Sequence, residues 1–382
     1  MIYLDNAASS FPKPEGVAEA MSEAVLHYGA NPGRSGHRLS RKASSVIRDC
    51  RKELAALFDC QKEDRVLFYQ NATTALNQAI SGFPFQKGDH IVATVFEHNA
   101  VRRPLERLRK EKGVEVSYME PDETGSFTKG VLESALKPET RMVVATHASN
   151  VTGEILPAAQ WGEVLKQRKE TVFLVDASQT AGIIPVSMND GIDMLAFPGH
   201  KGMLGPQGIG VLMVQPGIEL TPLIYGGTGS HSEEPGQPDI WPEGMESGTL
   251  NTPGIAGLLK SAQALKAVGV KKIGEHERIL GQMLADALGK INGVRVFSGK
   301  GERLGVVSFL IEGVDAHETA MILDQHYDIA VRSGVHCAPL SHQYLDTSKS
   351  GLVRASAGLY NTKNDIQTLA RAVEEIKEGL LG

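Results

Sequence analysis

Thr171-Val172-Phe173-Leu174-Val175-Asp176, running on into Ala177-Ser178-Gln179, and Phe197-Pro198-Gly199-His200-Lys201-Gly202 are the two stretches that decide the fold. Each passes from an apolar segment into a short polar turn. That is the pattern of a buried strand delivering side chains to the carboxyl edge of a parallel sheet. Working outward, residues 64–69, 90–95, 142–146, 171–176, 193–197 and 209–214 read as strands, and 41–58, 72–81 and 100–112 carry helical spacing of apolar residues. Alternation of this kind over residues 15 to 250 predicts an α/β unit with a mostly parallel sheet. The loops after the strands collect the polar residues Gln70 to Thr74, Glu97-His98-Asn99, His147 to Asn150, Asp176 to Gln179 and Gly199 to Lys201. Ligands bind at that edge of an open α/β sheet.

Residues 226–254 break the rhythm with glycine, proline and acidic side chains, from Gly226-Gly227-Thr228-Gly229-Ser230 to Glu246-Ser247-Gly248-Thr249, and read as a long functional loop or a subunit contact. Beyond it, 255–268 and 272–291 predict long helices, 294–297 and 306–311 strands, and 316–326 and 363–380 further helices. The sequence thus divides into a large domain over 15–260 and a smaller α+β C-terminal domain over 261–382, with 1–14 packed on the latter. A chain of 382 residues is long enough for two such lobes. Hydrophobic residues at 41% and charged residues at 22% are ordinary for a globular protein. A net charge of -6 without a dense basic tract argues against nucleic acid or an anionic membrane as partner. The start of the sequence lacks a basic segment followed by an apolar one, and no stretch is long and apolar enough to span a bilayer, so the expected location is the cytoplasm. Three cysteines, Cys50, Cys60 and Cys337, show neither C-x-x-C nor zinc-ligand spacing, so no metal site is expected.

The strand-end residues suggest a chemistry. A lysine amine and a carboxylate at neighbouring strand ends suit pyridoxal 5'-phosphate: the amine forms a Schiff base with the aldehyde, and the carboxylate keeps the pyridine nitrogen protonated. Lys201 and Asp176 are that pair, and the Gln179 amide is placed to reach the ring oxygen. A plain strand-end or capping role is the competing reading of Asp176. His98, between a strand and a helix, suits stacking on the ring and proton transfer near neutrality, or else a polar loop. Asn71-Ala72-Thr73-Thr74 opens a helix after a strand, where free N–H groups at Ala72 and Thr73 make a phosphate cradle or a simple cap. His200 adds a polar group beside the ring or phosphate. Cys337 sits in a Gly/Pro-punctuated loop with Arg332 and His336 as neighbours that favour the thiolate, whereas Cys50 and Cys60 fit inert helix positions. Arg354 and Asn150 are candidates for gripping a substrate carboxylate, against a surface ion pair and a turn.

Together these residues resemble the fold-type I pyridoxal-phosphate-dependent transferases of the class V aminotransferase group, and within it the cysteine desulfurases and selenocysteine lyases. The likeness covers Tyr3-Leu4-Asp5-Asn6-Ala7-Ala8, Glu97-His98-Asn99-Ala100, Ser149 to Gly153, Asp176 to Gln179, Gly199-His200-Lys201 and Arg354-Ala355-Ser356. Arg332-Ser333-Gly334-Val335-His336-Cys337-Ala338 is similar to the short cysteine loop of the second desulfurase subgroup. The resemblance implies a seven-stranded-type sheet and a homodimer with shared active sites. It implies Lys201 as the Schiff-base lysine, Asp176 and Gln179 as ring partners, His98 as ring-stacking proton carrier, and Thr73 with His200 on the phosphate. Thr249 would reach in from the other subunit. Asn150, Arg354 and Arg332 would serve the substrate, L-cysteine or a related amino acid. Cys337 would take its sulfur as a persulfide, releasing L-alanine, and pass it to a sulfur-acceptor protein.

Two departures stand out. Pro198 replaces a serine or threonine frequent before Gly-His-Lys, removing a hydroxyl and an N–H, and Val335 replaces a frequent second histidine. Alternatives are a selenocysteine lyase, a cystine or cysteine lyase, an epimerase or an aminotransferase in which Cys337 is a bystander, and a non-catalytic sulfur-relay scaffold.

Overall fold

Residues His90–Thr94, Val172–Asp176, Met194–Pro198 and Gly210–Val214 are buried at every position, as strands covered on both faces must be. They lie at the centre of the computed structural model, which describes residues 1–33, 36–229, 233–299 and 301–381. Ser230 of the glycine-rich loop lies outside the described residues. The chain runs through β1 (Ile2–Tyr3), α1 (Val17–Tyr28), α2 (Arg38–Leu57), β2 (Val66–Tyr69), α3 (Ala72–Gly82), β3 (His90–Thr94), α4 (Asn99–Lys112), β4 (Glu115–Met119), α5 (Lys129–Ala135), β5 (Thr140–Thr146), α6 (Ala158–Leu165), β6 (Val172–Asp176), β7 (Met194–Pro198) and β8 (Gly210–Val214). Then follow α7 (Thr252–Val268), α8 (Val270–Leu288), β9 (Val294–Phe297), β10 (Val306–Ile311), α9 (Ala316–Tyr327), β11 (Ile329–Ala330), β12 (Arg332–Gly334), α10 (Pro339–Tyr344), β13 (Leu352–Ser356) and α11 (Lys363–Leu381).

Among the described residues, the large sheet has seven strands in the order β2-β8-β7-β6-β5-β3-β4. The pairs from β7 to β4 are parallel, and β8 runs antiparallel to both its neighbours. Alternate residues of each strand feed two different cores, as the two-residue period of a strand requires. Val143, Phe173, Val175, Leu195 and Phe197 face one core with α2 and α6. Met142, Leu174, Met194, Ala196 and Leu212 face the other, with α3 and α4. The sheet is therefore α/β and mostly parallel. Two expectations about strands need correction. Residues 63–65 form a 3-10 turn ahead of β2, and the sequence reading missed β4, an edge strand whose burial does not follow the fully apolar pattern of its neighbours.

A second sheet, in the order β12-β13-β10-β9, is antiparallel throughout. It packs with α8, α9 and α11 over a separate core containing Leu284, Phe309, Leu323, Val353 and Leu369. The first residues tie this core to the large sheet. β1 pairs with β11, and Leu4 is fully buried in the second core. Further on, Ser10 N–H and hydroxyl and the Lys13 amine all donate to the carbonyl of His200, at 2.9, 3.1 and 3.2 Å. Among the described residues, no helix is long and apolar enough to cross a membrane.

The 226–254 segment is pinned by a buried ion pair. Arg51 on α2 donates to Glu246 Oε2 and, through Nε, to the carbonyl of Val66 at 2.9 Å, while Glu246 Oε1 accepts from Phe68 N–H at 2.6 Å. Burial opposes the Glu246 charge and pushes its pKa up, and Arg51 works against that rise. Removing one member strands the other in a low-dielectric site. Arg51→Met is expected to destabilise the fold by about 3–5 kcal/mol in denaturant unfolding. The double variant Arg51→Met with Glu246→Leu should lose less than Arg51→Met alone.

Candidate active site

Five strand ends of the large sheet converge on one cavity of about 180 Å³. Asn71, Ala72 and Thr73 come from the turn after β2, His98 from the turn after β3 and Asn150 from the loop after β5. Asp176 and Gln179 come from the end of β6, and His200 and Lys201 from the turn after β7. Residues far apart in sequence are thus brought together by strand order alone, at the edge where ligands bind in such sheets.

Asp176 is buried, and its Oδ1 accepts from the Ser178 N–H at 2.9 Å and from the Ser178 hydroxyl. No hydrogen bond to Oδ2 is present among the described residues, which leaves that oxygen for the cavity. Lys201 makes no hydrogen bond there either. Burial draws its amine down to about 8, against the opposing pull of Asp176. An amine poised there has an appreciable neutral fraction near neutral pH and is nucleophilic.

His98 caps α4. Its Nδ1 accepts from Ala100 N–H at 3.0 Å, so the ring proton of the neutral imidazole sits on Nε2. Burial, with the charge on Lys201 adding to it, lowers its pKa to about 4. His200 is lowered to about 4 by burial, with Lys201 and Lys13 adding to it, and its Nδ1 is buried without a hydrogen-bond partner. Gln179 donates from Nε2 to the carbonyl of Ala7 at 3.2 Å, and the second proton of that amide remains available.

The helix start at Ala72 is built for close approach. Asn71 caps α3 by accepting from Thr74 N–H at 2.9 Å, which leaves the N–H groups of Ala72 and Thr73 outside the helical ladder. Gly210, the first residue of β8, lies under this turn. A Cβ there would stand 2.1 Å from the Asn71 carbonyl carbon and 2.6 Å from the Ala72 nitrogen. The sequence reading missed Gly210, because nothing in a strand-leading glycine announces what crosses over it.

Beside the cavity stands a second cluster from the antiparallel sheet. Arg332 and Arg354 are directly opposite each other in the β12–β13 register, two like charges that favour an anion between them. Arg354 is only 1% exposed and donates to Asp5 Oδ1 at 2.9 Å and to the carbonyl of Asn150 at 3.0 Å, while its Nε has no partner. Asn150 donates to the carbonyl of His336 at 2.7 Å, and its Oδ1 is buried without a partner. Arg332 is within 3.8 Å of Cys337 Sγ, and Asn99 N–H holds the Cys337 carbonyl at 2.8 Å.

His336 and Cys337 both have left-handed backbones, with φ 50 and φ 57. Such geometry costs a non-glycine residue roughly 1–3 kcal/mol and is held only by surrounding contacts. The expectation that His336 assists the thiol needs correction. Its ring stacks on His342 at 5.7 Å and its Nε2 approaches the Arg332 carbonyl at 3.4 Å, not the sulfur. Burial lowers its pKa to about 3. Thr249 does not line the Lys201 cavity of its own chain. It lies at a separate cavity of about 450 Å³ with Arg48, Arg51 and Glu246.

The residues present fit pyridoxal phosphate. The partnerless His200 nitrogen and the two uncommitted helix N–H groups suit its phosphate, and the free Asp176 oxygen suits the pyridinium.

Residues 2–369 match the family model described as aminotransferase class-V. The chain is 36% identical over 381 residues to a probable cysteine desulfurase of Methanothermobacter thermautotrophicus, covering 98% of this chain and 94% of the relative. It is 30% identical over 389 residues to the cysteine desulfurase of Haloferax volcanii, covering 99% and 90%. Among solved structures, the apo cysteine desulfurase of Thermococcus onnurineus NA1 superposes with a TM-score of 0.90 at 34% identity, covering 99% of this chain and 95% of that one. The S-sulfonic acid form of a cysteine desulfurase from Escherichia coli gives a TM-score of 0.90 at 27% identity with the same coverage. Motifs, sheet order and relatives agree: this chain belongs to the aminotransferase class-V family.

Proposed function

We propose that the protein is a pyridoxal-phosphate-dependent cysteine desulfurase that converts L-cysteine to L-alanine and takes up the sulfur on Cys337. The observation that carries this reading is the linkage of Cys337 to both arginine-rich and lysine-bearing parts of the site. Asn150 touches the Lys201 cavity, the Cys337 loop and the Arg354 guanidinium at once.

Bound here, pyridoxal phosphate supplies an aldehyde for condensation with amines and a ring that withdraws electrons from the substrate Cα. Ala72 and Thr73 N–H groups, the Thr73 hydroxyl and His200 hold the phosphate, and Thr249 of a second copy completes it in a homodimer. Asp176 fixes the pyridine nitrogen in its protonated form, Gln179 reaches the ring oxygen, and His98 covers the ring. Arg354 and Asn150 bind the substrate carboxylate, with Arg332 adding positive charge between substrate and thiol. Lys201, neutral in part near pH 7, moves the proton at Cα. Its lowered pKa lets the amine take up and release a proton near neutrality, while the neutral His98 offers its Nε2–H as a hydrogen-bond donor beside it. The Cys337 thiolate forms an S–S bond with the substrate sulfur as the Cβ–S bond breaks. The electron pair of that bond stays with carbon and is protonated, so cysteine and thiol become alanine and persulfide. Arg332 stabilises negative charge on the sulfur throughout. A sulfur-acceptor protein then removes the persulfide.

The same reading divides the chain into a large lobe over 15–260 and a small one over 261–382. The separate core under the antiparallel sheet supports that division, with 1–14 touching both lobes.

Two measurements test the site. Cys337→Ala should keep the visible absorbance of the bound cofactor and lose alanine release from L-cysteine by roughly 10²-fold or more. Full retention would make Cys337 a bystander and favour a lyase, epimerase or aminotransferase. Gly210→Ala forces the Asn71–Ala72 peptide to move and should raise the cofactor Kd by about tenfold, about 1.4 kcal/mol, in an absorbance titration.

A further inference from the structure

Glu97 immediately precedes His98 and has no role in the reaction above, yet its side chain is entirely buried, at 0% exposure. Its Oε1 accepts from the Thr94 hydroxyl at 2.7 Å and from the Thr146 N–H at 2.9 Å. The Thr94 hydroxyl also accepts from Phe96 N–H at 3.1 Å, so the turn carrying His98 is stitched at both ends. One carboxyl thereby joins the end of β3 to the end of β5, and Thr146 is the register partner of Asp176 on β6. Oε2 is buried with no partner, and among the described residues no cation pairs with Glu97. A carboxylate in such a place has lost its hydration and gained no counter-charge.

We propose that Glu97 is a positioning residue that works as an uncharged acid: it clamps the His98 turn to the strand beside Asp176 without placing a second negative charge next to the ring-nitrogen partner. This rests on the functional reading above, because it needs Asp176 to be the anion that serves the ring. Two donors point at Oε1, so in the protonated acid Oε1 is the carbonyl oxygen and the proton sits on Oε2. The titratable groups that face Glu97 are Asp176 from β6 and Tyr118 from β4. Burial pushes the Glu97 pKa up to about 8, and Asp176 adds to it, outweighing the bonds from Thr94 and Thr146 that pull the other way. If Glu97 ionised instead, a second buried negative charge would repel the Asp176 carboxylate at the same sheet edge.

The test compares Glu97→Gln, Glu97→Ala and the wild type as holoenzymes. Glutamine keeps the Oε1 acceptor and carries no charge, so Glu97→Gln should retain cofactor Kd and turnover within about threefold, whereas Glu97→Ala should raise that Kd by about tenfold or more. A second readout needs no catalysis. An acid with a raised folded-state pKa binds its proton more tightly folded than unfolded, so its contribution to stability falls as pH rises between the two values and is level above them. The denaturant stability of wild type relative to Glu97→Gln should therefore decline from pH 4.5 to about 8 and then stay flat. Equal damage by Gln and Ala, Ala behaving like wild type, or a difference that does not vary across that window overturns the proposal. Should the wild type develop no visible band with the cofactor, it is the functional reading that fails, and the pH comparison still decides the state of Glu97.

Discussion

The organising constraint of this molecule is that a lysine amine must be buried next to a carboxylate without the two collapsing into a stable ion pair. Lys201 and Asp176 leave adjacent strands, β7 and β6, at the same sheet edge. Burial favours the neutral amine and Asp176 favours the charged one, and burial prevails. Asp176 is meanwhile occupied on one oxygen by Ser178. The sheet supplies the rigidity that keeps both groups in place, because every residue of these two strands is buried and paired. Neighbouring elements are arranged around that balance. The histidines that face the cavity, His98 and His200, are both held neutral by the same desolvation.

Much of this was legible in the sequence for a physical reason. A strand buried on both faces announces itself as an unbroken apolar run, and polar residues at its end have nowhere to go except the sheet edge. Residues 171–176 and 193–201 satisfied both conditions, so the lysine, the aspartate and the fold class came from one reading. β4 escaped because an edge strand needs no continuous apolar run, and Glu115 at its start is exposed. Gly210 escaped, and Glu97 was noted at a strand end without a task of its own, for a different reason. The importance of each depends on what lies across from it in space, a peptide in one case and the end of another strand in the other. The His336 expectation failed in the same way: adjacency in sequence put the imidazole beside the thiol, but two successive left-handed residues turn the backbone there, and the ring packs on His342 instead.

The arginine cluster depends on a different sheet from the Lys201 cavity beside it. Arg332 and Arg354 are a cross-strand pair of the antiparallel sheet, while Asn150 extends from β5 of the parallel one and meets both Arg354 and the Cys337 loop. A shift of one sheet against the other would change the spacing between Cys337 and the Lys201 cavity. Hydrogen bonds from Asn150 and Asn99 to the carbonyls of His336 and Cys337 are among the contacts that oppose it, with those from Arg354 to Asn150 and from Ser308 to Val151.

The bond from Arg354 to Asp5 joins groups 349 positions apart, and Ala7 N–H and the Asn6 amide likewise bond to Ser356. On the ribosome, the earliest of these residues emerges long before its partner exists. The Arg354 guanidinium can reach Asp5 only when β13 has been made and the opening segment lies across it. A chain that stops short of β13 therefore holds every residue that lines the Lys201 cavity but lacks the buried arginine that stands beside it.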